Sequence, residues 1–121
     1  MDPQNTPLTL TQHARVRAQT RGIPLRIVYA IYANADRRPF VGNGCRSLMV
    51  SRRQLDRLAH AIPPADRERM EGVILLIDPE RNVVITVLHA DGSHGQHYLR
   101  HFYGRRYRHR RRRPHWHPWR A

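Results

Sequence analysis

The chain contains no lysine, only one cysteine (Cys45), and no carboxylate after Asp91. A lone cysteine excludes an intramolecular disulfide framework and suits a reducing compartment, so a cytoplasmic location is expected. No apolar run approaches the roughly 20 residues of a membrane span, so no integral membrane association is expected. Residues 1–7 are polar and lack the charged-then-apolar pattern of an export signal. There is no internal repeat.

What is present is arginine. The 121 residues carry 22 arginines against 9 acids, a formal net charge of +13 that points to polyanionic partners. The length fits one domain, and an apolar fraction of 40% supplies one lean core. The charge divides unevenly. Beyond residue 99 there are nine arginines, four histidines and no acid, whereas residues 1–99 hold thirteen arginines and all nine acids. The expected organisation is therefore an α+β domain over residues 8–104, followed by a basic tail over 105–121. Arg105, Arg106, Arg108, Arg110, Arg111, Arg112 and Arg113 repel one another too strongly for independent folding. Pro114 and Pro118 break any continuation, leaving Trp116 and Trp119 in coil. A disordered, arginine-rich C-terminal tail is expected, able to bind phosphates and to stack bases on its aromatics.

Within the domain, Thr9 or Thr11 can cap a first helix that runs to Arg21, with Gly22 as its stop. Pro24 suits the first position of a second helix ending near Asn34. Its apolar side chains cover most of the circumference, so it should lie deep, and the short turn should fold the two helices into a hairpin. A short strand over 47–50 is followed by a capping-box signature, Ser51 and Gln54, and by Leu55, Leu58, Ala59 and Ile62 at helical spacing. Residues 65–71 suit a short exposed helix. Two apolar stretches, 72–78 and 83–88, read as a central β-hairpin covered on both faces, with Asn82 in its turn. Tyr98, Leu99, Phe102 and Tyr103 lie at the spacing of a last helix that docks on the sheet. The fold class is thus an N-terminal helical hairpin packed on a small antiparallel sheet.

The chemistry concentrates in His13-Ala14-Arg15-Val16-Arg17 and Arg21-Gly22-Ile23. At about 100° per residue, His13, Arg17 and Arg21 form one stripe along a helix. Arginine offers a planar fork to phosphate, and histidine can carry a proton near neutrality. The competing reading is structural, with these cations paired to Asp36, Asp56 or Asp78. Three further histidines, His94, His97 and His101, share a helical face, yet no acid or cysteine supports them as ligands, so no metal and no cofactor is expected. Cys45, between Gly44 and Arg46, reads as structural.

The string from His13 to Pro24, with the strand Val83-Val84-Ile85-Thr86-Val87, resembles a family of small bacterial domains of unassigned function. Its members open with a helix of the pattern HA–R–R–RGI. That family is distantly similar to RelE- and BrnT-type toxins, small α+β ribonucleases acting on messenger RNA. The resemblance covers residues 10–35 and 72–89; the segment 45–71 carries a helix that the short pattern does not need. It implies watching His13, Arg17, Arg21 and Thr86. A metal-independent ribonuclease would use His13 and His89 as base and acid, with Arg17 and Arg21 clamping phosphate.

Two functions follow as expectations. The first is a toxin-like RNA-binding protein, with ribonuclease activity as its catalytic form and an antitoxin as its natural protein partner. The second is a non-catalytic adaptor or host-takeover protein whose tail docks on a protein or ribosome. A weaker third has the Arg/Trp tail on an anionic lipid surface.

Overall fold

A computed structural model describes residues 7–91. The last helix, the histidine cluster and the arginine tail expected from sequence lie outside the described residues.

Local signals fix most element boundaries. Strand β1 (Thr9–Leu10) runs into Thr11, whose Oγ1 accepts from the Ala14 amide at 3.0 Å and so caps α1 (Gln12–Thr20). Gly22 ends that helix at φ +68°, a conformation that favours glycine. Helix α2 (Leu25–Asn34) follows Pro24. Strands β2 (Phe40–Gly42) and β3 (Cys45–Leu48) form a tight antiparallel pair around Asn43. Ser51 Oγ accepts from the Gln54 amide at 3.2 Å and opens α3 (Arg52–Arg57). Only half of the capping box forms, because the Gln54 amide side chain donates instead to the Asn34 carbonyl at 3.2 Å. A 3₁₀ turn (Leu58–His60) replaces the expected continuation of α3, and Leu58 and Ile62 still reach the core. Helix α4 (Pro64–Met70) leads into the hairpin of β4 (Val73–Asp78) and β5 (Val83–His89).

The five strands make one sheet in the order β1-β5-β4-β3-β2. The expected hairpin is at its centre. The sheet is mixed rather than antiparallel, because β1 pairs in parallel with β5 through Thr9–Val83 and Leu10–Val84. A two-residue strand leaves no alternating pattern, and its partner lies more than seventy residues away in sequence.

All four described α-helices send their buried side chains into one cluster: Ala14 and Ala18, Ile27 with Val28 and Ile31, Leu55, and Met70. The cluster meets Leu48, Val73, Leu75, Ile77, Val84 and Val87 of the sheet. Helix α1 packs along β5, while α2 lies over β4 and beside α4. Helix α2 is less deep than its composition suggests. Leu25 and Tyr29 are 38% and 43% exposed, because the sheet and α4 cover only one side of it. No described helix is long and apolar enough to cross a membrane.

Candidate nucleic-acid interface

The position of α1 follows from two contacts to β5. The Thr11 amide donates to the Val84 carbonyl at 3.0 Å, and its hydroxyl donates to the Ile85 carbonyl at 3.0 Å. Ala14 and Ala18 then face the core, and their small side chains let the helix backbone lie close to the strand. On a helical wheel Arg21 stands about 20° from Ala14, Arg17 about 60° and His13 about 100°. Exposure follows that order: Arg21 is half-buried, whereas Arg17 and His13 are exposed. The expected stripe therefore lies along one shoulder of the buried seam.

Among the described residues these cations have no carboxylate partners. Between Pro3 and Ala35 the sequence holds four arginines and no acid, and among the described residues only Arg26 of these is paired, to Asp66 at 3.3 Å. Each acid proposed as a structural partner for α1 is engaged elsewhere. Asp36 accepts from the Ser51 amide at 2.8 Å and from the Ser51 hydroxyl. Asp56 pairs with Arg52 at 3.7 Å. Asp78 accepts from the amides of Glu80 and Arg81 in the β4–β5 turn and lies 4.0 Å from the Arg81 guanidinium. Among the described residues, His13, Arg15, Arg17 and Arg21 form no ion pair. The Arg21 Nε is buried without a hydrogen-bond partner.

The opposite shoulder of α1 carries a feature that sequence reasoning did not single out. Gln12, Arg15, Val16 and Gln19 form one bank of an open groove of about 470 Å³, and Ile23, Pro24 and Leu25 form the other. Val16 is 49% exposed there. One bank of it was available in the sequence, since residues 12, 15, 16 and 19 share a helical face and Val16 falls away from the alanine seam, but the opposite bank was not.

The remaining sequence candidates scatter. His89 closes β5 opposite Val73 and is half-buried. No hydrogen bond joins it to His13, Arg17 or Arg21 among the described residues. Thr86 pairs with Leu76 and shares its face of the sheet, opposite the helices. The Cys45 thiol is half-buried and donates to the Asn43 carbonyl at 3.6 Å, while Arg46 beside it stacks 3.8 Å over the Phe40 ring. No group of three potential metal ligands occurs among the described residues. The seven arginines from Arg105 to Arg113 and Trp116 lie outside them.

No known family model matches the chain, and neither a curated protein nor a solved structure matches it.

Proposed function

We propose that the protein binds RNA through two cationic regions, the exposed arginines of α1 and the run from Arg105 to Arg113. The observation that carries this reading is the unneutralised state of α1. Among the described residues Arg15, Arg17 and Arg21 form no ion pair, while Asp36, Asp56, Asp66, Glu71 and Asp78 are engaged in turns, caps and ion pairs elsewhere. The exposed guanidiniums of Arg15 and Arg17 keep their full donor fork for a phosphate, whereas Arg21 is half-buried with its Nε enclosed. In this reading residues 12–34 act as a helical hairpin presenting the α1 face, and residues 105–121 act as a basic arm. Fully extended, those seventeen residues reach roughly 55 Å, enough to follow a single strand past the domain. Trp116 and the tail tyrosine Tyr107 supply stacking surfaces for unpaired bases.

The resemblance to small toxin-like ribonucleases adds a catalytic form of the same proposal. A base at His13 or His89 removes the proton from a ribose 2′-hydroxyl, and that oxygen attacks the adjacent phosphorus. Arg17 and Arg21 hold the charge of the pentacoordinate phosphorane, and the other histidine protonates the departing 5′-oxygen. No metal enters this scheme.

The test is fluorescence anisotropy with single-stranded RNA across a salt series. Affinity is expected to fall with a slope of about 0.7 per phosphate contact in log–log form, and to collapse on removal of residues 105–121. Arg15→Ala/Arg17→Ala/Arg21→Ala should reduce the slope further. An unchanged affinity in both variants refutes the proposal.

The groove beside α1 favours a second reading, a protein-docking adaptor. Val16 and Leu25 expose apolar surface there, which suits a protein side chain better than a phosphate. That reading expects a stoichiometric protein partner, retained after nuclease treatment and lost in Val16→Asp.

A further inference from the structure

The outer edge of the sheet carries a stack of two side chains that neither the core nor the α1 site uses. Strand β2 is the last in the sheet order and pairs with β3, where Phe40 stands opposite Arg46. Directly opposed residues project to the same face, and the Arg46 guanidinium lies 3.8 Å over the centroid of the Phe40 ring. Phe40 is 60% exposed, more than Val16, Tyr29 or Leu25, and it stands outside the core cluster. An aromatic residue placed this way contributes little to folding, since most of its apolar surface stays in water.

The stack is nevertheless held in place. Arg46 donates from Nη1 to the Arg38 carbonyl at 2.7 Å. Arg38 donates in turn from Nε to the Ala35 carbonyl at 3.0 Å and from Nη2 to the Tyr32 carbonyl at 3.3 Å, which ties the hairpin to the C-terminal end of α2. Among the described residues Arg46 forms no ion pair, so donors of its fork remain for an anion. Acids are absent from the surrounding chain: between Asp36 and Asp56 the sequence holds five arginines and no carboxylate. Asp36 itself is turned to Ser51, and Asp56 to Arg52.

A fixed ring beside a cation with unused donors matches a nucleotide. The base covers the ring and the guanidinium takes a phosphate. A carboxylate would use the cation and leave the ring in water, and an aliphatic side chain would do the reverse. The place in the fold also fits. Arg46 pairs with Ile77, which enters the helical cluster, so the stack lies on the face of the sheet that carries the helices. Helix α1 packs along β5, three strand spacings away, or roughly 14 Å. A few nucleotides of single strand cover that distance.

We propose that Phe40 and Arg46 form a base-stacking site for single-stranded RNA, with one unpaired base on the Phe40 ring and an adjoining phosphate on Arg46. This rests on the RNA-binding reading and deepens it, because the α1 arginines meet the strand through its backbone whereas Phe40 requires a base.

The experiment measures anisotropy of the full chain with a short uridine strand and with the abasic strand of the same sugar–phosphate backbone. Phe40→Leu keeps an apolar side chain at the sheet edge and removes the π face. It should weaken binding of the uridine strand by about 5- to 150-fold. The salt slope should not change, because no charge is lost. Affinity for the abasic strand should stay at the wild-type value, and Phe40→Trp should restore binding of the uridine strand. Wild-type affinity of Phe40→Leu for the uridine strand overturns the stacking site and leaves the RNA reading standing. An equal loss on both strands also overturns it, since Phe40 then shapes the path of the backbone rather than holding a base. A wild-type dimer in sedimentation that Phe40→Leu abolishes does the same, because the ring is then covered by a second copy. If wild type binds neither strand, the RNA reading falls and the stacking site falls with it.

Discussion

Arg21 distinguishes a binding residue from a structural one, because the two roles predict opposite signs on stability. Its Nε is buried with no acceptor, and an orphaned donor of this kind costs about 1–3 kcal/mol. Arg17 stands four residues earlier on the same helix, and a like-charge pair at that spacing costs a further 0.2–0.5 kcal/mol or so. Against this, Arg21 caps the C-terminus of α1, where a cation contributes about 0.3–1 kcal/mol. Methionine keeps the unbranched apolar stem and a high helix propensity, so packing against the seam is largely retained. The sum predicts that Arg21→Met raises stability by about 1 kcal/mol. For a domain of this size that corresponds to a rise of about 4–8 °C in the thermal midpoint. The same variant should weaken single-stranded RNA binding and lower its salt slope by about 0.7. Urea denaturation and anisotropy on one preparation measure both quantities. If Arg21→Met loses more than 1 kcal/mol and binds RNA like wild type, Arg21 is a packing residue and the proposed clamp is wrong.

Three further outcomes follow from individual contacts. Asp36→Ala removes the acceptor for both the amide and the hydroxyl of buried Ser51, and should destabilise by about 2 kcal/mol in urea titration, discounted for the exposure of Asp36 itself. Thr11→Val deletes the cap of α1 and the hydroxyl bond to Ile85, a loss of about 1–2 kcal/mol that Thr11→Ser should largely restore. For the catalytic form of the RNA proposal, purified protein should cleave ribosome-bound or free message, with at least a hundredfold loss in His13→Ala at unchanged thermal midpoint. Intact RNA after prolonged incubation with wild type removes the catalytic form and leaves binding to be judged separately.

The parts of the fold that were legible in sequence rest on local chemistry. Thr11 and Ser51 accept from amides three residues ahead, and Gly22 and Asn82 occupy the left-handed region their residue types tolerate. The central hairpin announced itself through continuous apolar runs on either side of a four-residue turn. The stripe of His13, Arg17 and Arg21 was legible for the same reason, since helical spacing alone sets it. β1 and β2 were missed because two or three residues carry no period, and the parallel pairing of β1 depends on a strand far along the chain. The groove beside α1 was missed because it needs residues 23–25 to stand opposite α1, which no local pattern encodes.

The uneven arginine distribution, the single cysteine and the acid-free stretch from Pro3 to Ala35 are properties of the sequence alone. They set the expectation that a polyanion is the partner class and that α1 would meet it. Sequence could not decide whether those arginines are free, because any of eight later acids lay within reach of some fold. Among the described residues the tertiary structure leaves those of α1 without an ion pair and engages Asp36 with Ser51, Asp56 with Arg52 and Asp78 with its own turn. Charge composition is a sum over residues, whereas neutralisation depends on which side chains come within about 4 Å, where the attraction between opposite charges becomes significant.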